Sequence, residues 1–197
     1  MTATLEFFYD YVSSYSYLAN EAVKSLDGVE VRYRPMFLGG VMKATGNSPP
    51  GTVPAKGRYL GKDLHRWANH YGIPFRFNSI FPQNTLNALR LALVAQHHGT
   101  FDAVHQPLFD AMYVNDRDLS DPAVLAEIVT TAGLDAEAYG AEIGSESIED
   151  ELKANTEEAV ARGAFGAPTF FVGEKMFFGN DRFDFIKRAL AMVAEAD

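Results

Sequence analysis

The order of the predicted strands and helices constrains the fold of this chain more than any other feature of its sequence. Strand-like segments occur near the two ends, at residues 5–9 and 29–34 and again at residues 169–172 and 175–178. The stretch between them, about residues 57–161, is almost wholly helical in its pattern. Because two strands alone cannot bury a hydrophobic face, we predict that both ends share one mixed four-stranded sheet.

The connections between these strands predict the topology of the sheet. Residues 15–26 have apolar side chains spaced three or four apart and form a crossover helix between two parallel strands. A tight turn at Gly173 makes the last two strands a hairpin. Asn180 and Asp181 are then expected to cap a final helix that runs to about Ala194. The predicted class is therefore α/β, a thioredoxin-like βαβ…ββα fold with a large all-helical insertion.

The middle of the chain is predicted to form the insertion. Residues 39–56 are rich in Gly, Pro, Asn and Ser and are expected to form a loop. The helices expected after it cover residues 57–71, 84–99, 101–113, 121–132, 135–142 and 147–162, with caps expected at Asn84, Ser120 and Ser147. We accordingly assign residues 1–38 and 164–197 to the thioredoxin-like domain, and residues 39–163 to the loop and the helical insertion.

Composition excludes several classes of function. The 197 residues contain no cysteine, which rules out a disulfide framework, a thiolate metal site and a catalytic cysteine. The net charge is −9, so binding to nucleic acid or to an anionic membrane is not expected. The five histidines show no metal-ligand spacing, and we predict no metal site. With neither an export signal nor a membrane span in the pattern, the expected compartment is the cytoplasm.

Three polar segments adjoin the ends of predicted strands. Ser13 stands where the first strand meets the first helix, so it is either a helix cap or a hydroxyl beside a ligand at a positive helix end. Pro168 precedes the third strand, either as an ordinary edge proline or as a cis-proline that exposes the backbone of Ala167. Asn180 is a natural cap for the last helix, and Asp181 either interacts with the helix dipole or binds the ammonium group of a ligand.

Four segments together resemble one family. FYDYVSSYSYLA, GNSPPGTVPAKGRY, GAFGAPTFFV and FFGNDR, in this order, are similar to the 2-hydroxychromene-2-carboxylate isomerases. These enzymes are relatives of the kappa-class glutathione transferases in the DsbA-like thioredoxin superfamily. The resemblance covers essentially the whole chain and implies the fold predicted above. It also implies an enzyme that uses glutathione and an aromatic substrate, and a homodimer.

The resemblance assigns roles to individual residues. Ser13 falls on the catalytic serine that contacts the glutathione sulfur, and Ser14 follows it where the family usually has proline. Further residues implied to bind glutathione are Tyr15, Ala167, Pro168, Asn180 and Asp181. Residues implied to bind the substrate are Lys43, Asn47, Lys56 and Asn84. Asn84 is equally well explained as a helix cap.

The implied reaction explains how a chain without cysteine can use a thiol. Conversion of 2-hydroxychromene-2-carboxylate to trans-o-hydroxybenzylidenepyruvate requires rotation about a conjugated double bond. Glutathione supplies a soft thiolate that can add to such a bond and leave again. Ser13 and the start of the first helix would favour the anion, and aromatic side chains, Trp67 among the candidates, would hold the ring. The alternatives are a kappa-like glutathione transferase and a non-catalytic glutathione-binding protein.

Overall fold

Both ends of the chain contribute to one four-stranded sheet in the computed structural model, which describes residues 2–196. The strands are β1 (Thr4–Tyr9), β2 (Glu30–Pro35), β3 (Thr169–Val172) and β4 (Lys175–Phe178). Their order is β2-β1-β3-β4, with β1 parallel to β2 and antiparallel to β3, and with β3 antiparallel to β4. The predicted mixed sheet and the predicted thioredoxin-like order of elements are therefore confirmed.

Nine α-helices accompany the sheet within the described residues. They are α1 (Ser14–Lys24), α2 (Leu38–Thr45), α3 (Pro54–Tyr71), α4 (Leu86–His97), α5 (Phe101–Tyr113), α6 (Pro122–Thr131), α7 (Ala136–Ile143), α8 (Glu146–Ala161) and α9 (Phe183–Ala196). Both α4 and α8 pack against β2, so the insertion we propose at residues 39–163 shares the core of the sheet. Within residues 2–196, no helix is both long and apolar enough to cross a membrane.

The loop predicted for residues 39–56 is wrong in part, because α2 covers its beginning, a 3-10 turn lies at Pro50–Thr52 and α3 starts at Pro54. Two glycines in α2 lower its intrinsic helix propensity, and this misled the prediction. Packing against α8 overrides that preference: a Cβ atom at Gly40 would lie only 3.3 Å from the Thr156 side chain. The Thr156 hydroxyl also accepts a hydrogen bond from the backbone N–H of Phe37 at 2.9 Å.

Three predicted helix caps are also wrong. Asp121 rather than Ser120 caps α6, through a 2.8 Å bond from the N–H of Ala123. Ser145 rather than Ser147 caps α8, because its hydroxyl is the one that reaches the N–H of Ile148. The last helix begins at Phe183, and the carbonyl of Arg182 accepts its first hydrogen bonds. Asn180 and Asp181 therefore lie ahead of α9 and do not cap it.

Strand β1 forms the centre of the core. Its aromatic residues pack on both faces of the sheet, with Phe7 stacked on Phe170 at 4.8 Å and Phe8 edge-on to Phe171 at 5.5 Å. All four of these side chains are essentially inaccessible to solvent. Because the hydrophobic run stops at Tyr9, the polar residues that follow emerge at the carboxyl end of the strand, where ligands gather in open α/β sheets.

Candidate active site

The first part of the site is the Ser13 turn (residues 10–16), which joins β1 to α1. Ser13 caps the helix: its Oγ accepts from the N–H of Ser16 at 3.1 Å, and its own N–H donates to the carbonyl of Asp10 at 3.0 Å. The N–H groups of Ser14 and Tyr15 are the helix-start donors that this cap does not use. The first turn of α1 carries no acidic side chain, so its positive end is not neutralised from within the helix.

Ser13 also connects the helix start to the segment before β3. Its hydroxyl donates to the carbonyl of Ala167 at 3.0 Å, and the Ala167–Pro168 bond is cis. The carbonyl of Pro168 in turn accepts from the N–H of Gly179 at 3.0 Å, so the approach to α9 lies alongside. The structure thus brings Ser13, Ala167 and Pro168 together, as the sequence predicted. Ser13 is also the cap of α1: its oxygen accepts from the helix, while its hydroxyl hydrogen points to Ala167.

Asn180 is buried next to this segment with part of its side chain unsatisfied. It is 4% exposed, and its Nδ2 has no hydrogen-bond partner in the described part of the chain. Its backbone carbonyl accepts a 3.3 Å bond from the Tyr71 hydroxyl on α3. A buried N–H group without an acceptor costs about 1–3 kcal/mol, so an acceptor from a ligand is the natural partner.

Asp181 lies close enough to act on two tyrosines by its charge. Its own side chain is half exposed and pairs with Arg182. Burial raises the pKa of Tyr15, and the carboxylates of Asp63 and Asp181 raise it further. Burial also raises the pKa of Tyr71, and the charge of Asp181 adds to that rise. Tyr15 on α1 and Tyr71 on α3 therefore both lie within reach of the charge of Asp181.

A buried carboxylate that the sequence reasoning did not single out organises the Ser13 turn. Asp10 is fully buried, and its Oδ1 accepts from the N–H of Val12 at 3.0 Å and from the Thr85 hydroxyl at 2.6 Å. Its Oδ2 accepts from the N–H of Leu38 at 2.8 Å. Burial raises the pKa of Asp10, and these hydrogen bonds oppose that rise. One side chain thus links the turn to the starts of α2 and α4. A charged residue directly after an aromatic strand was the available signal.

A buried histidine, His105, forms a hydrogen bond with Tyr11 of the Ser13 turn. The Tyr11 hydroxyl lies 2.9 Å from Nδ1 of His105, and Nε2 of His105 lies 3.1 Å from Oδ1 of Asn20. Since Oδ1 of Asn20 can only accept, we assign the proton to Nε2 and make Tyr11 the donor to Nδ1. Burial lowers the pKa of His105 to about 3, with a smaller contribution from Lys24. The ring is therefore uncharged at neutral pH.

Of the residues expected to bind substrate, Asn47 contacts the segment that leads to Pro168, and Lys56 shares a cleft with Tyr15. Asn47 donates from Nδ2 to the carbonyl of Phe165 at 2.7 Å, which fixes the loop after α2 against the segment that leads to Pro168. Lys56, near the start of α3, lines a cleft of about 390 Å³ that begins at Tyr15. We call it the α3 cleft. Its lining residues are Tyr15, Pro50, Ala55, Lys56, Tyr59 and Leu60.

The other two expected substrate ligands make no such contact. Lys43 is exposed in the last turn of α2. Asn84 is exposed as well, and its Oδ1 accepts from the N–H of Leu86 at 3.1 Å at the start of α4. Within the described residues, neither forms a hydrogen bond with the Ser13 turn or with Ala167 and Pro168. The N-cap of α4 is Thr85, so the cap predicted at Asn84 is wrong by one residue, although Asn84 does bond to the helix start.

Comparison with known proteins identifies the class to which this arrangement belongs. The family model described as a DSBA-like thioredoxin domain matches residues 4–191. The chain therefore belongs to the DsbA-like thioredoxin family.

The similar proteins also include named enzymes. The chain is 32% identical over 195 residues to a 2-hydroxychromene-2-carboxylate isomerase of Sphingobium xenophagum, covering 96% of this chain and 99% of that protein. It is 31% identical over 204 residues to glutathione S-transferase kappa 1 of Homo sapiens, covering 95% and 90% of the two chains. A solved 2-hydroxychromene-2-carboxylate isomerase superimposes with a TM-score of 0.85 at 28% identity, over 98% of this chain and 97% of that one. The predicted resemblance is thereby confirmed.

Proposed function

We propose that this protein is a glutathione-dependent isomerase that interconverts 2-hydroxychromene-2-carboxylate and trans-o-hydroxybenzylidenepyruvate in the breakdown of aromatic hydrocarbons. The observation that carries the proposal is the hydrogen bond between Ser13 and Ala167 at the uncompensated start of α1. It joins a hydroxyl, a positive helix end and the backbone of Ala167 in a chain that has no cysteine. The names of the relatives supply the reaction class.

The residues present fit glutathione. The unsatisfied Nδ2 of Asn180 needs an acceptor, which a carboxylate of the γ-glutamyl unit offers. The carboxylate of Asp181, beside it, suits the ammonium group of the same unit. The backbone of Ala167 is assigned to the cysteinyl unit, in the manner of strand addition. When bound, glutathione supplies the thiolate nucleophile that this chain lacks.

Ser13 and α1 then keep that sulfur in its anionic form. A free thiol has a pKa of about 8.5, and the positive end of a helix lowers it. The Ser13 hydroxyl has one hydrogen, which it now gives to Ala167, so it would exchange that partner to donate to sulfur. Lys56 and Asn47, with Lys43 at the periphery, are assigned to the carboxylate and the developing oxyanion of the substrate.

A thiol balance separates this proposal from its alternatives. The purified protein is mixed with 2-hydroxychromene-2-carboxylate and glutathione at one twentieth of the substrate concentration. Absorbance follows the substrate and a thiol reagent follows free glutathione. An isomerase converts the substrate to equilibrium while the thiol concentration stays constant. A kappa-like transferase consumes one thiol per turnover on an electrophile, and a binding protein gives calorimetric affinity for glutathione without turnover.

We also propose that the protein works as a homodimer in the cytoplasm, as the resemblance to its relatives implies. Light scattering coupled to size-exclusion chromatography tests the assembly. A mass of twice 21.7 kDa is expected, and a mass of one chain across the micromolar range would contradict it.

A further inference from the structure

Two tyrosines from different helices share one carboxylate at the α3 cleft. The Tyr15 hydroxyl, on α1, donates to Oδ2 of Asp63 at 2.8 Å. The Tyr59 hydroxyl, one turn before Asp63 on α3, donates to Oδ1 at 3.1 Å. Tyr59 is 58% exposed, and an aromatic side chain with that exposure would otherwise sample several rotamers. The shared acceptor fixes both rings with respect to each other.

The rest of the cleft is apolar except at one point. Pro50, Ala55 and Leu60 contribute hydrocarbon surface, and Lys56 is the one charged residue of the lining. The volume of about 390 Å³ lies in the range of small-molecule sites. Oriented aromatic rings, apolar walls and a single ammonium group match a flat aromatic ring that carries one negative charge.

We propose that the α3 cleft is the subsite for the ring of an aromatic carboxylate, with Lys56 as the partner of its carboxylate and Asp63 as a positioning residue that holds Tyr15 and Tyr59. The proposal rests on the proposed function for the identity of the reaction, and it assigns the substrate ring to a defined place. Of the aromatic candidates, the proposal favours Tyr15 and Tyr59 over Trp67. Trp67 stacks along α3 on Tyr71 at 5.7 Å and does not line the cleft.

The Tyr15 hydroxyl stays a donor under working conditions. Burial raises the pKa of Tyr15, and the hydrogen bond and charge of Asp63 raise it further, so the phenol remains protonated. Asp63 uses one oxygen for each tyrosine. An asparagine at this position keeps only one of the two acceptors and would release one ring.

The test measures binding of a flat aromatic acid directly. Calorimetry with 2-naphthoate is done in the presence of S-methylglutathione, which has no reactive thiol. We expect Lys56→Met to weaken 2-naphthoate binding at least tenfold, and Asp63→Asn and Tyr59→Phe to weaken it about three- to tenfold. Lys62→Met, on the same helix and outside the cleft lining, is the matched control and should bind as the wild type does. Decahydro-2-naphthoate and methyl 2-naphthoate should both bind worse than 2-naphthoate.

The positioning role of Asp63 has its own readout. In turnover assays, Asp63→Asn should raise KM for the aromatic acid while kcat and the affinity for glutathione stay near their wild-type values. Its effect and that of Tyr59→Phe should be less than additive in the double variant, because the Tyr59 hydroxyl and the Asp63 carboxylate are partners in one hydrogen bond.

Different experimental outcomes would contradict the proposed subsite and the proposed function. Equal binding of 2-naphthoate by the wild type, Lys56→Met and Tyr59→Phe, or no binding at all, overturns the subsite. If Asp63→Asn unfolds, Tyr59→Phe decides the question, because it removes a single exposed hydroxyl. If binding depends on Lys56 and Tyr59 but the thiol balance shows no isomerisation, the subsite stands and the proposed reaction does not.

Discussion

The Ser13 turn and the α3 cleft meet at Tyr15 and are built in opposite ways. In the turn, Asp10 and Ser13 are buried, and their polar atoms bond mainly to backbone groups. In the cleft, Lys56 and Tyr59 are exposed and the fixed contacts are between side chains. Backbone partners exist whatever the neighbouring side chains are, so the turn suits a task shared by many family members. Side-chain partners change with sequence, so we expect the cleft to set the choice of substrate.

Replacing Ser13 should give the largest loss of activity. In Ser13→Ala, the thiolate loses its hydroxyl donor, and we expect kcat/KM to fall by about 100- to 1,000-fold, as for a lost oxyanion-hole donor. The lost helix cap should lower the free energy of unfolding by about 1 kcal/mol. Steady-state kinetics and urea denaturation measure the two effects.

The matched control is Ser25→Ala, at the other end of the same helix. Ser25 is the C-cap of α1, and its hydroxyl bonds to the carbonyl of Ala22. This variant should change stability by a similar amount and leave kcat/KM intact. Near-normal turnover by Ser13→Ala would show that the turn positions backbone only, and the contrast with the cleft would disappear.

Asp10→Asn should give the largest loss of stability. The amide keeps one oxygen acceptor, but its NH2 group must face either the N–H of Leu38 or the Thr85 hydroxyl. We expect the free energy of unfolding to fall by about 2–3 kcal/mol, since hydrogen bonds to a buried charged group are lost. Thr85→Val removes one of these bonds and should cost about 1–1.5 kcal/mol. Equal stability of Asp10→Asn and the wild type would mean that the turn is held by its backbone alone.

The stability that the neutral His105 ring contributes should be lost in acid. His105 has a lowered pKa of about 3 in the folded protein against 6.5 when unfolded, so the unfolded chain binds the extra proton first. The resulting stability is complete above pH 6.5 and is lost as pH falls toward 3. Between pH 7 and pH 5 the loss should be about 2 kcal/mol.

A variant isolates this contribution from other titrating groups. His105→Phe keeps the stacking on Phe101, at 4.4 Å in the wild type, but cannot titrate. It should be less stable than the wild type at pH 7, and the difference should shrink by about 2 kcal/mol at pH 5. The exposed histidine–carboxylate pairs of α4 are common to both proteins and cancel. A constant difference would place a charged histidine in the core and contradict the assigned tautomer.

The same contrast explains what the sequence could predict. Strand and helix order, Ser13 and the cis-proline were accessible because they depend on local patterns and on the resemblance to relatives. Asp10 was not, because its partners Leu38 and Thr85 lie 28 and 75 residues away and no periodic pattern marks them. Helix α2 was missed because tertiary contacts outweigh its two glycines. In the cleft, the spacing of Tyr59 and Asp63 fits one helix face, but only the fold brings Tyr15 to it.

Asn180 is buried in the segment that precedes α9, and its variant should separate binding from stability. In Asn180→Ala, the dissociation constant for glutathione should rise about tenfold, the equivalent of one net hydrogen bond. The free protein should be no less stable, because the deleted Nδ2 has no partner there. Calorimetry and urea denaturation test the pair of outcomes, with the exposed Asn87→Ala as control. Unchanged affinity would remove Asn180 from the glutathione site.

The smallest expected effect concerns Asn47, in the loop between α2 and α3. Asn47 is exposed, so losing its bond to the carbonyl of Phe165 should change the free energy of unfolding by less than about 0.5 kcal/mol. The same bond fixes the chain between α2 and α3 against the segment before Pro168, so Asn47→Ala should raise KM for the aromatic acid about two- to threefold. Asn47→Asp keeps the acceptor for the N–H of Ser48 and loses the donor to Phe165. If Asn47→Asp matches the wild type in KM, the cleft does not depend on this loop, and its geometry is set by Asp63 alone.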